Sequence, residues 1–214
     1  MSTLNEQRWG GEFGEEYTMR NPLDMQAMDG LYMESYGVSR AMLNKEFLDS
    51  LNRSIKILEV GANVGMQLAL LQKIGFESLY GVELNRKAIE ISRSFTKNID
   101  IIQGSALDIP FKDHFFDLVL TSGVLIHIPP SNIQQAISEI HRCTKRYIWG
   151  FEYYAPAYTD VVYRGKNDML WKADFAKLYL DSFADVELVK EKELKYRSNE
   201  NVDKMFLLKL KDKN

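Results

Sequence analysis

The stretch Glu59-Val60-Gly61-Ala62-Asn63-Val64-Gly65 ends one apolar run, IKILEV, and opens a helical pattern. Gly61 lets the chain turn tightly beneath a ligand, and Gly65 lets the following helix pack closely. The spacing is G-x-x-x-G, not the G-x-G-x-x-G of a dinucleotide pyrophosphate site, and no G-K-[ST] of a P-loop follows. Glu83 stands 18 residues beyond Gly65, at the end of the next apolar run. A carboxylate placed there can accept both hydroxyls of a ribose. Taken alone, the glycines also fit a plain strand-to-helix turn, and Glu83 a solvated strand end.

A second set of residues could manage a proton or an anion. His127, in L-I-H-I-P-P, has the titration range of a proton acceptor near neutrality. A structural or hydrogen-bonding histidine is the competing reading. Glu152, Tyr153 and Tyr154 follow the fifth apolar run, where a carboxylate and phenols can orient a hydroxylated or cationic acceptor. The same tyrosines also suit an aromatic lid. Tyr158, Tyr163, Arg164 and Lys166 extend that segment, and Arg164 is its best anion binder because of its planar fork. His114 is given no function, and His141 reads as a helix end. No Cys/His spacing suggests a metal site. The single cysteine, Cys143, reads as a buried core thiol in a reducing compartment.

Elements that position these residues follow from the pattern of apolar runs. Short apolar strands are expected at 55–60, 79–82, 99–102, 115–120 and 145–151, with helices between them. Gly75 closes the first of those helices, and Ser131 caps one running to about His141. A short helix over 171–180 and strands at 186–189 and 204–210 complete the chain. This alternation predicts an α/β fold: a doubly wound, mostly parallel seven-stranded sheet with helices on both faces. We read 1–214 as a single domain, with 1–50 an N-terminal helical cap broken at Gly37 and 152–172 a substrate-side insertion. Met25, Met28, Leu31 and Met33 are expected to line one helix face, and the five methionines between Met19 and Met42 to fill a helical core or form a partner face. In the glycine-rich opening, Trp9, Phe13, Tyr17, Arg20 and Asn21 are expected to fold over a ligand mouth and exclude water.

With 27 basic and 30 acidic residues the net charge is -3, which gives no argument for nucleic acid or an anionic membrane. The opening has no signal-peptide pattern and no apolar run reaches membrane-spanning length. A cytoplasmic protein, monomeric or homodimeric, is expected.

Four stretches taken together, ILEVGANVG, LYGVELN, IIQGSALDIPF and FFDLVLTSGVLIHIPP, resemble the class I S-adenosylmethionine-dependent methyltransferases. The resemblance spans roughly residues 55 to 210. It implies that Glu59, Gly61, Asn63 and Gly65 surround the methionine portion of S-adenosylmethionine. Glu83 would bind the ribose, with Leu84 against the adenine. Ser105, Ala106 and Leu107 would lie beside the adenine, with Ser105 in place of a more usual acidic residue. Ser122, Gly123 and Val124 would line the methionine side, and Trp9, Tyr17 and Arg20 would complete the cofactor site. The opening W-G-G-E-F-G-E-E-Y-T-M-R-N further resembles methylases associated with pseudaminic acid and related surface-sugar biosynthesis.

These resemblances imply methyl transfer to a small polar metabolite: a sugar, a nucleotide sugar or a phosphate-bearing acceptor. His127, Glu152, Tyr153 and Tyr154 are the catalytic candidates; Phe13, Tyr158 and Arg164 are the substrate-binding ones. The alternatives are RNA or protein methylation and a non-catalytic cofactor-binding protein serving a partner. The chain has S-G-V-L where many amino-methylating enzymes of nucleic acid and protein carry D/N-P-P-Y/F, which argues against that group.

Overall fold

The computed structural model describes residues 3–21 and 24–211. The chain divides into two compact units, Met1–Ala106 and Leu107–Asn214. Seven strands form a sheet in the order β3-β2-β1-β4-β5-β9-β8, with β6 and β7 making a separate two-stranded ribbon. This is the expected doubly wound α/β fold, parallel except at β9, which runs antiparallel to β5 and to β8.

In the first unit, helices α1 (Leu4–Gly10), α2 (Glu12–Arg20), α3 (Met25–Tyr36) and α4 (Arg40–Leu48) precede β1 (Lys56–Val60), α5 (Met66–Lys73), β2 (Ser78–Glu83), α6 (Arg86–Phe95) and β3 (Ile99–Gln103). The strands pair in parallel, Leu58 opposite Tyr80 and Val82 opposite Ile102. Ile57, Leu58, Val60, Leu68, Leu71, Phe76 and Val82 are buried around them. The helix starts are capped by side chains: Asp24 accepts from the Ala27 amide, Ser39 from Met42 and Asn85 from Ala88. Gly37, in the left-handed region at φ +76°, ends α3 as expected. The core reading of the methionines is corrected: α3 buries no residue completely, and Met19, Met33 and Met42 are exposed.

The second unit contains β4 (Phe116–Ser122), a 3-10 turn (Leu125–His127), α7 (Pro130–Cys143), β5 (Thr144–Tyr153), the ribbon strands β6 (Thr159–Asp160) and β7 (Trp171–Lys172), α8 (Phe175–Ser182), β8 (Val186–Lys195) and β9 (Val202–Leu210). Ser131 is not the cap of α7. The helix begins at Pro130, whose fixed φ suits a first helical position, and the Ser131 hydroxyl bonds the Asn132 side chain instead. The helix expected from Trp171 starts later, because Asp174 accepts from the Lys177 amide and caps α8 there. Cys143 is fully buried, and burial pushes its thiol up to about 11. Among the described residues no helix is long and apolar enough to cross a membrane.

Candidate functional site

In the first unit the loop after β1 is tied to β2 by its own backbone. The amides of Gly61 and Ala62 both donate to the Val82 carbonyl, at 2.8 and 3.0 Å. Gly61 and Gly65 sit at φ +73° and +79°, and a Cβ on Gly65 would come within 2.7 Å of Ile101. Both positions therefore call for glycine. Asn63, at φ +48°, is a residue type that tolerates this region. Its amide donates to Glu83 Oε2 at 2.8 Å, and the Asn85 amide donates to Oε1 at 2.8 Å. The Glu83 carboxyl is thus fixed at the end of β2, directly beside the glycine loop. Burial raises its pKa, and those amide bonds work the other way.

Glu59, the penultimate residue of β1, is buried, and its carboxyl is pushed up to about 8. Loss of solvent is the main cause. Arg40 and the Leu68 amide favour the charged form, and Glu83 opposes it. Glu59 Oε2 and Asn63 Oδ1 are buried without a hydrogen-bond partner. Such atoms are costly to leave unsatisfied, so the pair is what a polar ligand would complete.

Sequence reasoning missed Arg40. This fully buried guanidinium donates from Nε to Gln67 Oε1 at 2.9 Å and to Asn44 Oδ1 at 3.2 Å, and from Nη1 to Tyr32 Oη at 2.8 Å. A signal existed: Arg40, Leu43, Asn44 and Phe47 fall on one helical stripe and are all buried.

The opening segment packs against this same loop system. Asn85 Nδ2 donates to the carbonyls of Trp9, at 3.2 Å, and Gly11, at 3.1 Å. The Ser105 hydroxyl donates to Glu6 Oε1 at 2.5 Å, and Glu6 is held below the usual carboxylate range by Ser105 and Thr3 against the effect of burial. Glu6, too, was not expected. The Trp9 ring meets Phe13 and Tyr17 edge-on, with centroids 5.0 and 5.2 Å apart. Arg20 stands apart, exposed and paired with Glu16 at 3.5 Å. Leu84, Ser105 and Ala106 are half-buried.

In the second unit, Leu107 accepts at its carbonyl from Gln135, and Ser122, the last residue of β4, is half-buried together with Gly123 and Val124 of the loop that follows. The buried Glu152 carboxylate accepts from the Val124 amide, at 3.0 Å to its nearer oxygen, and from the Ile126 amide at 3.4 Å. Burial pushes this carboxyl up to about 7, against its bonds to Thr121 and the loop amides. Its geometry is that of a staple holding the loop.

His127 Nδ1 lies 2.8 Å from the Met169 carbonyl. A carbonyl only accepts, so Nδ1 carries the proton. Burial lowers the imidazole to about 4, the Met169 bond acting in the opposite sense. A group held so low is a weak proton acceptor. Its ring is 5.5 Å from Tyr163, so this histidine ties the 3-10 turn to the tyrosine-rich segment. The Tyr158 hydroxyl donates to the Ile128 carbonyl at 3.3 Å. Arg164 is exposed, at φ +52°, with its guanidinium 5.8 Å from the Tyr163 ring. Tyr153 lies 5.8 Å from Tyr196 and Tyr154 carries the Lys204 ammonium 4.1 Å above its ring. Among the described residues no His, Cys, Asp and Glu cluster could hold a metal.

Residues 58–147 match the family model of the methyltransferase domain. An uncharacterised methyltransferase of Synechocystis, sll0829, is 31% identical over 90 residues, covering 42% of this chain and 42% of that protein. The matches span about two-fifths of the length of such curated relatives. Among solved structures, the PH0226 protein of Pyrococcus horikoshii superposes with a TM-score of 0.70 at 16% identity, over 92% of this chain and 99% of that one. The 1,6-didemethyltoxoflavin-N1-methyltransferase of Burkholderia thailandensis, solved with 1,6-didemethyltoxoflavin and S-adenosylhomocysteine, gives a TM-score of 0.64 at 13% identity, over 94% and 83%. At such identities the likeness is one of fold.

Proposed function

We propose that the chain is an S-adenosylmethionine-dependent methyltransferase acting on a small polar acceptor: a sugar, a nucleotide sugar or a phosphate-bearing metabolite. The observation that carries the cofactor is the cradle of Glu59, Asn63 and Glu83. Glu59 Oε2 and Asn63 Oδ1 are buried acceptors without a partner, suited to the ammonium of a methionine moiety. Arg40 brings to the same cluster the positive charge that a methionine carboxylate requires. Each Glu83 oxygen, with one amide bond made, keeps acceptor capacity for a ribose hydroxyl. Within the first unit, Leu84, Ser105 and Ala106 serve the adenine. Bound there, S-adenosylmethionine supplies an activated methyl group on its sulfonium.

The chain's own residues hold, orient and exclude water. Trp9, Phe13 and Tyr17 form the covering aromatic cluster, with Arg20 at its exposed end. Glu152 fixes the loop after β4. His127, of low basicity, and Glu152, engaged by backbone amides, position an acceptor and do not draw its proton. That division suits an acceptor oxygen or nitrogen that is already nucleophilic, for which alignment is the main requirement. The surface-sugar assignment is supported by the W-G-G-E-F-G-E-E-Y opening. The chain works as a single methyltransferase domain with 1–50 as its cap and 152–172 as its acceptor-side insertion.

Incubation with methyl-labelled S-adenosylmethionine and separate pools of nucleotide sugars, sugar phosphates, RNA and protein tests this. Label should enter a sugar or phosphate pool. Label entering RNA or protein alone would overturn the acceptor class, and cofactor binding with no transfer in any pool would favour the non-catalytic alternative.

A further inference from the structure

The acceptor-side end of β5 carries two lysines in contrasting states. Lys204, from β9, is buried, with Nζ 3.1 Å from Asp174 and 3.4 Å from Glu191. Its charge is compensated twice, and those carboxylates raise its pKa against burial. Lys172, from β7, is half-buried, and its Nζ lies 2.5 Å from Asn201 Oδ1 and 5.4 Å from the Tyr153 ring centroid. It has no carboxylate within 4.0 Å among the described residues. An ammonium has three donors, and the Asn201 oxygen takes one. An anion beside this ammonium would supply the counter-charge that the described residues do not. The Tyr153 ring lies to one side of it. Tyr153 is hydrogen-bonded to Tyr196, and burial, with Asp203 and Tyr163 nearby, raises its pKa and keeps it a neutral phenol.

We propose that Lys172, with Asn201 and Tyr153, anchors an anionic group of the methyl acceptor, a phosphate or a carboxylate. The proposal rests on the methyltransferase reading and narrows its acceptor to a negatively charged, hydroxylated molecule. Such a group pairs with the ammonium while the phenols hydrogen-bond neighbouring hydroxyls. The competing account is a purely structural tether from β7 to the turn before β9.

The test follows the melting temperature of the full chain saturated with S-adenosylhomocysteine, at constant ionic strength, against glucose 6-phosphate, UDP-glucose, glucuronate and glucose. At least one anionic sugar should raise it saturably, and glucose should not; which one responds identifies phosphate or carboxylate. Lys172→Met should raise the midpoint concentration at least tenfold, and Lys172→Arg should restore most of the response. Without ligand, Lys172→Met should melt no lower than wild type, since it removes an uncompensated charge. A tether would instead melt lower and keep its anion response. Equal responses to glucose and the anions, no response in the wild type, or an unchanged response in Lys172→Met would each overturn the proposal. Binding of S-adenosylhomocysteine, measured separately on the same samples, shows whether the cofactor reading stands regardless.

Discussion

At the scale of single residues, the protonation of Glu59 links the cradle to its ligand. Its carboxyl is raised to about 8, so the free protein carries it largely protonated at neutrality. An unfolded glutamate ionises near pH ~4.3. Between those values the folded state binds the extra proton, so stability falls as pH rises. Glu152, raised to about 7, acts in the same direction over the lower part of that window. The free protein should therefore melt at progressively lower temperature from pH 5 to pH 8, and Glu59→Gln should flatten the upper part of the curve. A ligand ammonium beside Oε2 favours the carboxylate. S-adenosylmethionine binding at pH 7 should then release about one proton, read by calorimetry in buffers of different ionisation enthalpy. In Glu59→Gln that release should vanish. Glu152→Ala has a different signature. It strips the Val124 and Ile126 amides of their acceptor, costing about 1–3 kcal/mol in urea unfolding, whereas Glu152→Gln should lose less.

Elements explain why the N-terminal helices hold. Three glycines in the opening segment lower helix propensity, so the sequence shows no clear helix there. Two observations offset that. Thr3 and Glu6 form a reciprocal capping box, a T-x-x-E spacing that was available to be read. Gly14 provides the close packing, since a Cβ on it would fall 1.8 Å from the Trp9 carbonyl oxygen. Gly14→Ala should thus force α1 and α2 apart, costing about 1–3 kcal/mol and raising the exposure of Trp9 to fluorescence quenchers. Asn85→Ala should remove the link to Trp9 and Gly11 and speed hydrogen exchange across 4–20 while leaving the sheet protected. By contrast, β1, α5, β2, α6 and β3 were legible within a residue or two. The apolar runs of β1 and β2 are largely buried, that of the edge strand β3 only in part, with Ile102 exposed, and the punctuating glycines at 61, 65 and 75 all adopt positive φ.

Across the whole molecule, legibility tracks whether a site is written in contiguous sequence. Glu59, Gly61, Gly65 and Glu83 lie in two short motifs, each at a strand end, and the matched methyltransferase domain covers the same stretch. The cluster around Tyr153 and Lys172 is assembled otherwise. Tyr153 meets Asp203 only through the antiparallel register of β5 and β9, and Lys172 reaches Asn201 from a separate ribbon. No local spacing announces Lys172, Tyr196 or Asn201, while Arg164, the more visible candidate, is exposed. Arg40 and Glu6 escaped for the same reason, since each bonds a side chain distant in sequence, Gln67 and Ser105. The central claim, that Glu59, Asn63 and Glu83 cradle S-adenosylmethionine, is tested most directly by calorimetric titration of the cofactor into wild type and Glu83→Ala. Wild type should bind saturably and the variant tenfold or more weakly, about 1.4 kcal/mol per tenfold. A folded wild type that binds neither S-adenosylmethionine nor S-adenosylhomocysteine would contradict it.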